Sequence, residues 1–258
     1  MKLQKTHISL LAGALFCTGV IQAAPSAMPA LEKKQVEQVI HEYLVTHPEV
    51  LLEASQALQA KQQNEAQHAA KSAIMKNAEQ LFKPDGAFTG NPKGNVTMVE
   101  FFDYQCVHCK RMKPIIGELS TKNPKLRVIY KELPIFGKRS ETASRAALAA
   151  ANQGKYAEMQ TALLKIEKRL SDALVMSTAE SVGLDMAKLK QDMQSKAITD
   201  ELAKNQALAE KLNLMGTPAF ILASTPNGEF NAGYEPTFIP GAATLESLQD
   251  LVTKAGKS

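Results

Sequence analysis

The chain has 258 residues, with 30 lysines and arginines against 26 aspartates and glutamates, 45% hydrophobic residues and three cysteines. That length gives room for one or two domains with an ordinary buried core. A net charge of only +4, with both signs interspersed, offers nothing to attract a nucleic acid or an acidic polymer, and three cysteines are too few for a disulfide framework.

Residues 1–24 read as a secretory leader. Lys2 and Lys5 come first, then an uncharged apolar stretch from Ile8 to Ile21, then Ala23 and Ala24 before Pro25. The stretch is short for a membrane span and no later run is long and free of charge, so a cleaved, exported, soluble protein is expected. Cys17 lies inside the leader and leaves with it. Cys106 and Cys109 are then the remaining pair.

Residues 25–82 are expected to form a helical arm. Val36, Val39, Ile40, Tyr43 and Leu44 fall on one helical face. Thr46-His47-Pro48-Glu49 offers a capping box for a second helix reaching as far as Leu81. Beyond Gln59 that helix turns to Gln, Asn, Lys and Ala and can bury little by itself. Its apolar faces need another surface, either a second copy of the same segment or the chain's own domain.

The turn formers between Lys83 and Asn95 mark a boundary, and residues 83–258 read as the next domain. Val96 to Phe102 is an apolar run expected as a strand buried on both faces, with Glu100 inside it. A helix is expected from Cys106 to about Ser120, bent at Pro114, and a strand from Leu126 to Leu133. A block of four or five short helices fills about 140–214, with breaks near Gly154, Ser171-Asp172 and Gly183 and a capping box at Ser177-Thr178-Ala179-Glu180. Gly216-Thr217-Pro218 precedes a strand from Ala219 to Ala223, and a final helix from Thr244 buries Leu245, Leu248, Leu251 and Val252. The pattern is α/β: a βαβ unit, a helical insert, two strands and a helix.

Cys106-Val107-His108-Cys109 carries the chemistry. Two residues between the cysteines at a helix start hold the sulfurs within bonding reach, and the unpaired amides and dipole of the helix N-terminus favour a thiolate on Cys106. His108 favours it further, with Lys110, Arg111 and Lys113 adding weaker positive potential. Cys106 is the expected nucleophile. A stabilised thiolate makes the disulfide a stronger oxidant. Cys109, the resolving thiol, must give up a proton while buried, and Glu100 is the candidate acceptor unless it points to a solvated edge. Zinc would need further ligands, and His41, His47 and His68 lack a ligand-like spacing. No metal or cofactor is expected. A structural disulfide closing so small a loop would stabilise little.

The run from Val99 to Cys109, VEFFDYQCVHC, resembles the DsbA-like branch of the thioredoxin superfamily. The resemblance covers about Val96 to the C-terminus. It implies a thioredoxin fold with an inserted helical domain, preceded here by the helical arm. It also implies a periplasmic location, exported clients carrying thiols or disulfides, and a membrane redox partner. It assigns Gly216-Thr217-Pro218 to the loop facing the dithiol, with a cis bond that leaves the Thr217 backbone free to pair with a client strand. The arm is similar to that of Com1-type surface antigens, which implies a homodimer. Val107 stands where strongly oxidising members have proline, and Thr217 is more usual in disulfide isomerases. Three functions therefore stay open: an oxidase that also isomerises, a dedicated isomerase, and a non-catalytic surface or adhesion protein that keeps the fold.

Overall fold

The computed structural model describes residues 30–83 and 87–257. The expected leader with Cys17, and the turn Pro84-Asp85-Gly86, lie outside them. The chain divides into two compact units, Met1–Gln59 and Ala60–Ser258.

In the first unit, helix α1 spans Ala30–Thr46, and α2 begins at Glu49 and runs on to Lys76. The capping box expected at Thr46 does not form. Its hydroxyl donates instead to the carbonyls of Glu42 (2.6 Å) and Tyr43 (3.2 Å), closing α1, and the chain breaks at His47-Pro48 because proline lacks the amide to continue. Val39, Ile40 and Tyr43 remain 65, 52 and 53% exposed, and Leu51, Leu52 and Leu58 are exposed as well.

In the second unit, α2 does not continue to Leu81. It stops at Lys76, where the Asn77 side chain donates to the Ala73 carbonyl (2.8 Å), and α3 (Ala78–Phe82) follows. A five-stranded sheet follows, formed among the described residues by β1 (Phe88–Gly90), β2 (Val96–Phe102), β3 (Leu126–Glu132), β4 (Ala219–Ser224) and β5 (Thr237–Pro240), in the order β1-β3-β2-β4-β5. β2 and β3 are parallel, joined through α4 (Val107–Lys122), and the other pairs are antiparallel. The short edge strand β1 arises inside the cluster of turn formers. Gly90 lets it pass β3, since a Cβ there would stand 2.3 Å from the Leu126 carbonyl oxygen and φ is +83°.

Between β3 and β4 lie α5 (Lys138–Ala151), α6 (Tyr156–Leu164), α7 (Asp172–Ser181), α8 (Met186–Met193) and α9 (Lys196–Lys211); α10 (Leu245–Ala255) closes the chain. The capping box expected at Ser177 is absent. Ser177 and Thr178 lie inside α7 and both donate to the Leu174 carbonyl, while Ser171 caps that helix.

The central strands are buried along their whole length, as an apolar run with helices on both faces requires. One face carries Met98, Phe102, Val128, Phe220 and Leu222 under α4, α10 and the inserted helices. Against the other lie Ile74, Ala78, Leu81 and Phe82, with Leu208 and Leu212. The polar end of α2, with α3, thus buries a few well-placed residues. Each large one contributes roughly 1.5–3 kcal/mol.

Candidate active site

The dithiol sits where β2 ends and α4 begins. Cys106 is the N-cap of α4, in extended conformation, and its sulfur accepts the Cys109 amide at 3.3 Å. A sulfur thus occupies the place where a serine or aspartate oxygen usually receives the first-turn amides. Both thiols are free and buried.

The approach to Cys106 is fixed by a buried aspartate. Asp103 Oδ1 accepts the Gln105 amide and the Ser140 hydroxyl, both at 2.7 Å, and Oδ2 accepts the Phe136 amide at 3.1 Å. The Asp103 carbonyl accepts the Cys106 amide (3.2 Å). The Gln105 side chain reaches the same partners, Ser140 Oγ at 3.0 Å and the Phe136 carbonyl at 3.2 Å. These contacts bolt the residues before the nucleophile to the first inserted helix.

Opposite stands the loop before β4, where Thr217-Pro218 is cis. The Cys106 thiol donates to the Thr217 carbonyl at 3.2 Å. The Thr217 hydroxyl is buried beside the Cys106 sulfur and lowers the Cys106 pKa.

These surroundings separate the two sulfurs. The Cys106 pKa falls from 9.0 to about 6, chiefly because the Cys109 thiol donates to it, with the Thr217 hydroxyl and the backbone amides of Cys109 and His108 adding to the effect against the cost of burial. Cys109 is pushed far upward, first by that same hydrogen bond and then by burial.

Glu100 lies within β2, opposite Tyr130 on β3 and Phe220 on β4, and is buried. Burial raises its pKa to about 8; Lys113 pulls it down, while Glu132 and Cys106 push it up. Lys113 is held by the Gln160 side chain, with its ammonium 5.4 Å from the Tyr130 ring centre. The sequence thus placed Cys106, Cys109, Glu100, Thr217 and Pro218 around one point, and the structure brings them together. The His108 imidazole is exposed, with no hydrogen bond among the described residues, and that residue reaches the sulfur through its backbone amide.

Asp103 and a second buried acid were not anticipated. Glu132, at the end of β3, accepts the hydroxyls of Tyr104 (2.7 Å) and Tyr156 (2.8 Å) on Oε1. Burial raises its pKa to about 8. The signal was available: like Glu100, Glu132 is a carboxylate inside a run of strand formers, where burial is costly without partners.

The model of the DsbA-like thioredoxin domain matches residues 97–253, and that of the ScsC N-terminal domain, described as a copper resistance protein, matches residues 32–65. The crystal structure of Salmonella enterica Typhimurium BcfH is 32% identical, covers 88% of this chain and 96% of its own, and superposes with a TM-score of 0.75. A thioredoxin-like oxidoreductase from Silicibacter pomeroyi DSS-3 is 38% identical over 70% of this chain and 99% of its own, with a TM-score of 0.64. The thiol:disulfide interchange protein DsbA of Bordetella parapertussis is 28% identical over 55% of this chain and 70% of its own. Sodium/proton antiporters also match, for instance one from Salinispora tropica at 28% identity over 54% of this chain. The chain spans 22% of that antiporter. Among the described residues no helix is long and apolar enough to cross a membrane.

Proposed function

Since the chain belongs to the family of DsbA-like thioredoxin domains, we propose that it is a thiol-disulfide exchange enzyme, exported to the periplasm, that oxidises and also rearranges disulfides in exported clients. The observation that carries this reading is the placement of Cys106 as the cap of α4, with its pKa near 6 beneath the Thr217 carbonyl.

In the oxidising direction a client thiolate attacks Cys106 of the Cys106-Cys109 disulfide. The S–S bond breaks, and Cys109 leaves with the electron pair and takes a proton. A second client thiolate then attacks the client sulfur of the mixed disulfide, and Cys106 leaves as the stabilised thiolate. The client loses two electrons and the enzyme gains them. In rearrangement the reduced Cys106 attacks a client disulfide, and Cys109 resolves stalled adducts. Glu100 exchanges the proton of Cys109, directly or through one water, because its pKa near 8 lets it hold or release one near neutrality. Thr217 and Pro218 dock the client, the Thr217 backbone pairing with an extended segment. A membrane partner reoxidises the dithiol.

The exposed stripe of α1 supports self-association, with a homodimer as the minimal assembly. Paired sites with Thr217 beside the dithiol favour a second reading, a dedicated isomerase. The decisive experiment is Cys109→Ser in cells. It should trap clients as mixed disulfides on Cys106, and their absence would leave a protein that keeps the fold without the exchange. Activity on a scrambled client with none on a reduced one would select the isomerase.

A further inference from the structure

Among the described residues of the Ala60–Ser258 unit, the large apolar side chains left exposed are Met75, Val107, Ile135, Phe136 and Met215. Val107, Phe136 and Met215 lie on segments that meet Cys106 or its approach. Val107 follows Cys106 and is 57% exposed. The backbone of Phe136 bonds to Asp103 and Gln105 on the approach to Cys106. Met215, two residues before Thr217, is 93% exposed.

The same face carries an excess of cations. On one side Lys110, Arg111 and Lys165 rim a groove with Val107 and Leu164. On the other, Lys138, Arg139 and Arg169 rim a second groove with Gln105 and Phe136. The carboxylates in these grooves are Glu167 in the first and Asp172 in the second. Lys113 is engaged by Gln160 and is not counted with the six.

Elsewhere in this unit some surface cations have a carboxylate one turn away, as in Lys122–Glu118 (2.8 Å), Arg145–Glu141 (2.8 Å), Lys188–Asp192 (3.1 Å) and Lys196–Asp200 (2.6 Å), and others, such as Lys204, have none among the described residues. None of the six cations beside the dithiol has a carboxylate within ion-pair distance among the described residues. Lys110 is held by a neutral carbonyl, that of Ile166 (2.5 Å). Clustered like charges with apolar groups between them are unfavourable in the free protein and complement an anionic, partly apolar partner.

We propose that this face is a docking surface for extended client segments in which acidic residues flank the reacting cysteine and an apolar side chain lies nearby. The inference rests on the exchange function proposed above and adds to it a client class. Acidic residues on both sides of the client cysteine would meet the two basic grooves, while Val107, Phe136 and Met215 take the apolar side chain.

The test uses the full oxidised chain and short peptides with a single cysteine flanked by glutamates, glutamines or lysines. The rate of mixed-disulfide formation is measured by stopped flow. Each rate is divided by the same peptide's rate with hydroxyethyl disulfide, which removes differences in the peptide thiol itself. The glutamate peptide should react about tenfold faster than the lysine peptide at low salt, and the difference should collapse in about 1 M sodium chloride. Lys165→Glu combined with Arg169→Glu should bring the glutamate-to-lysine ratio to one or below.

Equal rates for the three peptides, or a glutamate preference that survives both charge reversals, would overturn the docking surface and leave the exchange function standing. Salt-sensitive binding to phosphatidylglycerol vesicles without any peptide preference would give the cations to a membrane surface and equally overturn it. Failure to react with any peptide would remove the exchange function, and the client class with it.

Discussion

At the scale of residues, the site separates two thiols that share a sequence motif and separates their protons with them. The Cys106 thiol, at about 6, is mostly ionised at neutral pH, whereas Cys109 keeps its proton. Alkylation of the reduced protein by iodoacetamide should therefore follow a single titration with its midpoint near pH 6. A midpoint near the free-cysteine value would contradict the cap geometry. Glu100 has the opposite sense. Its folded pKa is raised, so the folded state keeps a proton that the unfolded state sheds between about pH 4.5 and 8, and stability falls across that window. Glu100→Gln removes this loss. Urea unfolding at pH 5 and pH 8.5 should show the variant gaining on the parent by on the order of 2–4 kcal/mol at the higher pH. The same variant should slow the release of trapped clients. Cys106, Cys109 and Glu100 were legible in the sequence because each breaks a local pattern: thiols in a chain nearly without them, an acid in an apolar strand. His108 was legible as a residue but not in its role, because whether an imidazole turns toward the sulfur depends on the path of the helix.

At the scale of elements, the interior strands and α4 were readable from apolar runs and the position of the dithiol. Errors gathered at helix ends. Thr46 and Ser177 both sit where a box pattern suggests a start, yet each hydroxyl bonds back to its own helix. The side-chain oxygens that do cap helices among the described residues are those of Ser171, Asp185, Ser195 and Thr244. A four-residue pattern cannot distinguish these cases, because the outcome depends on where the preceding helix stops. The contacts joining β3 and the segment before α4 to the inserted helices were invisible for a different reason: they link residues far apart in sequence, as in Tyr104, Glu132 and Tyr156. Tyr156→Phe withdraws one of the two tyrosine hydroxyls donated to the buried Glu132 carboxylate. It should cost about 1–3 kcal/mol in urea unfolding, and a cost near zero would show that the Tyr104 hydroxyl suffices.

At the scale of the whole molecule, the arm expected over 25–82 divides differently, because composition hides the role of its second half. Ala60 to Phe82 looks too polar to form part of a core, yet Ile74, Leu81 and Phe82 lie in the second core cluster, and Phe82 stacks on Phe230 with centroids 4.9 Å apart. A chain beginning at Ala60 should keep its cooperative unfolding, whereas one beginning near Phe82 should lose several kcal/mol of stability, as urea midpoints would show. The first unit is different, since among its described residues Val39, Ile40, Tyr43, Leu51, Leu52 and Leu58 are exposed. Val39→Glu with Tyr43→Glu should lower the mass seen by sedimentation while leaving the reaction with a small disulfide unchanged. A sulfur that closes a helix while it is an anion closes it less well once it is bonded to another sulfur, so a change of two electrons is written into the looseness of one helical turn. The Cys109 amide is then a gauge of oxidation state, with deuterium entering it faster in the oxidised protein than in the reduced one.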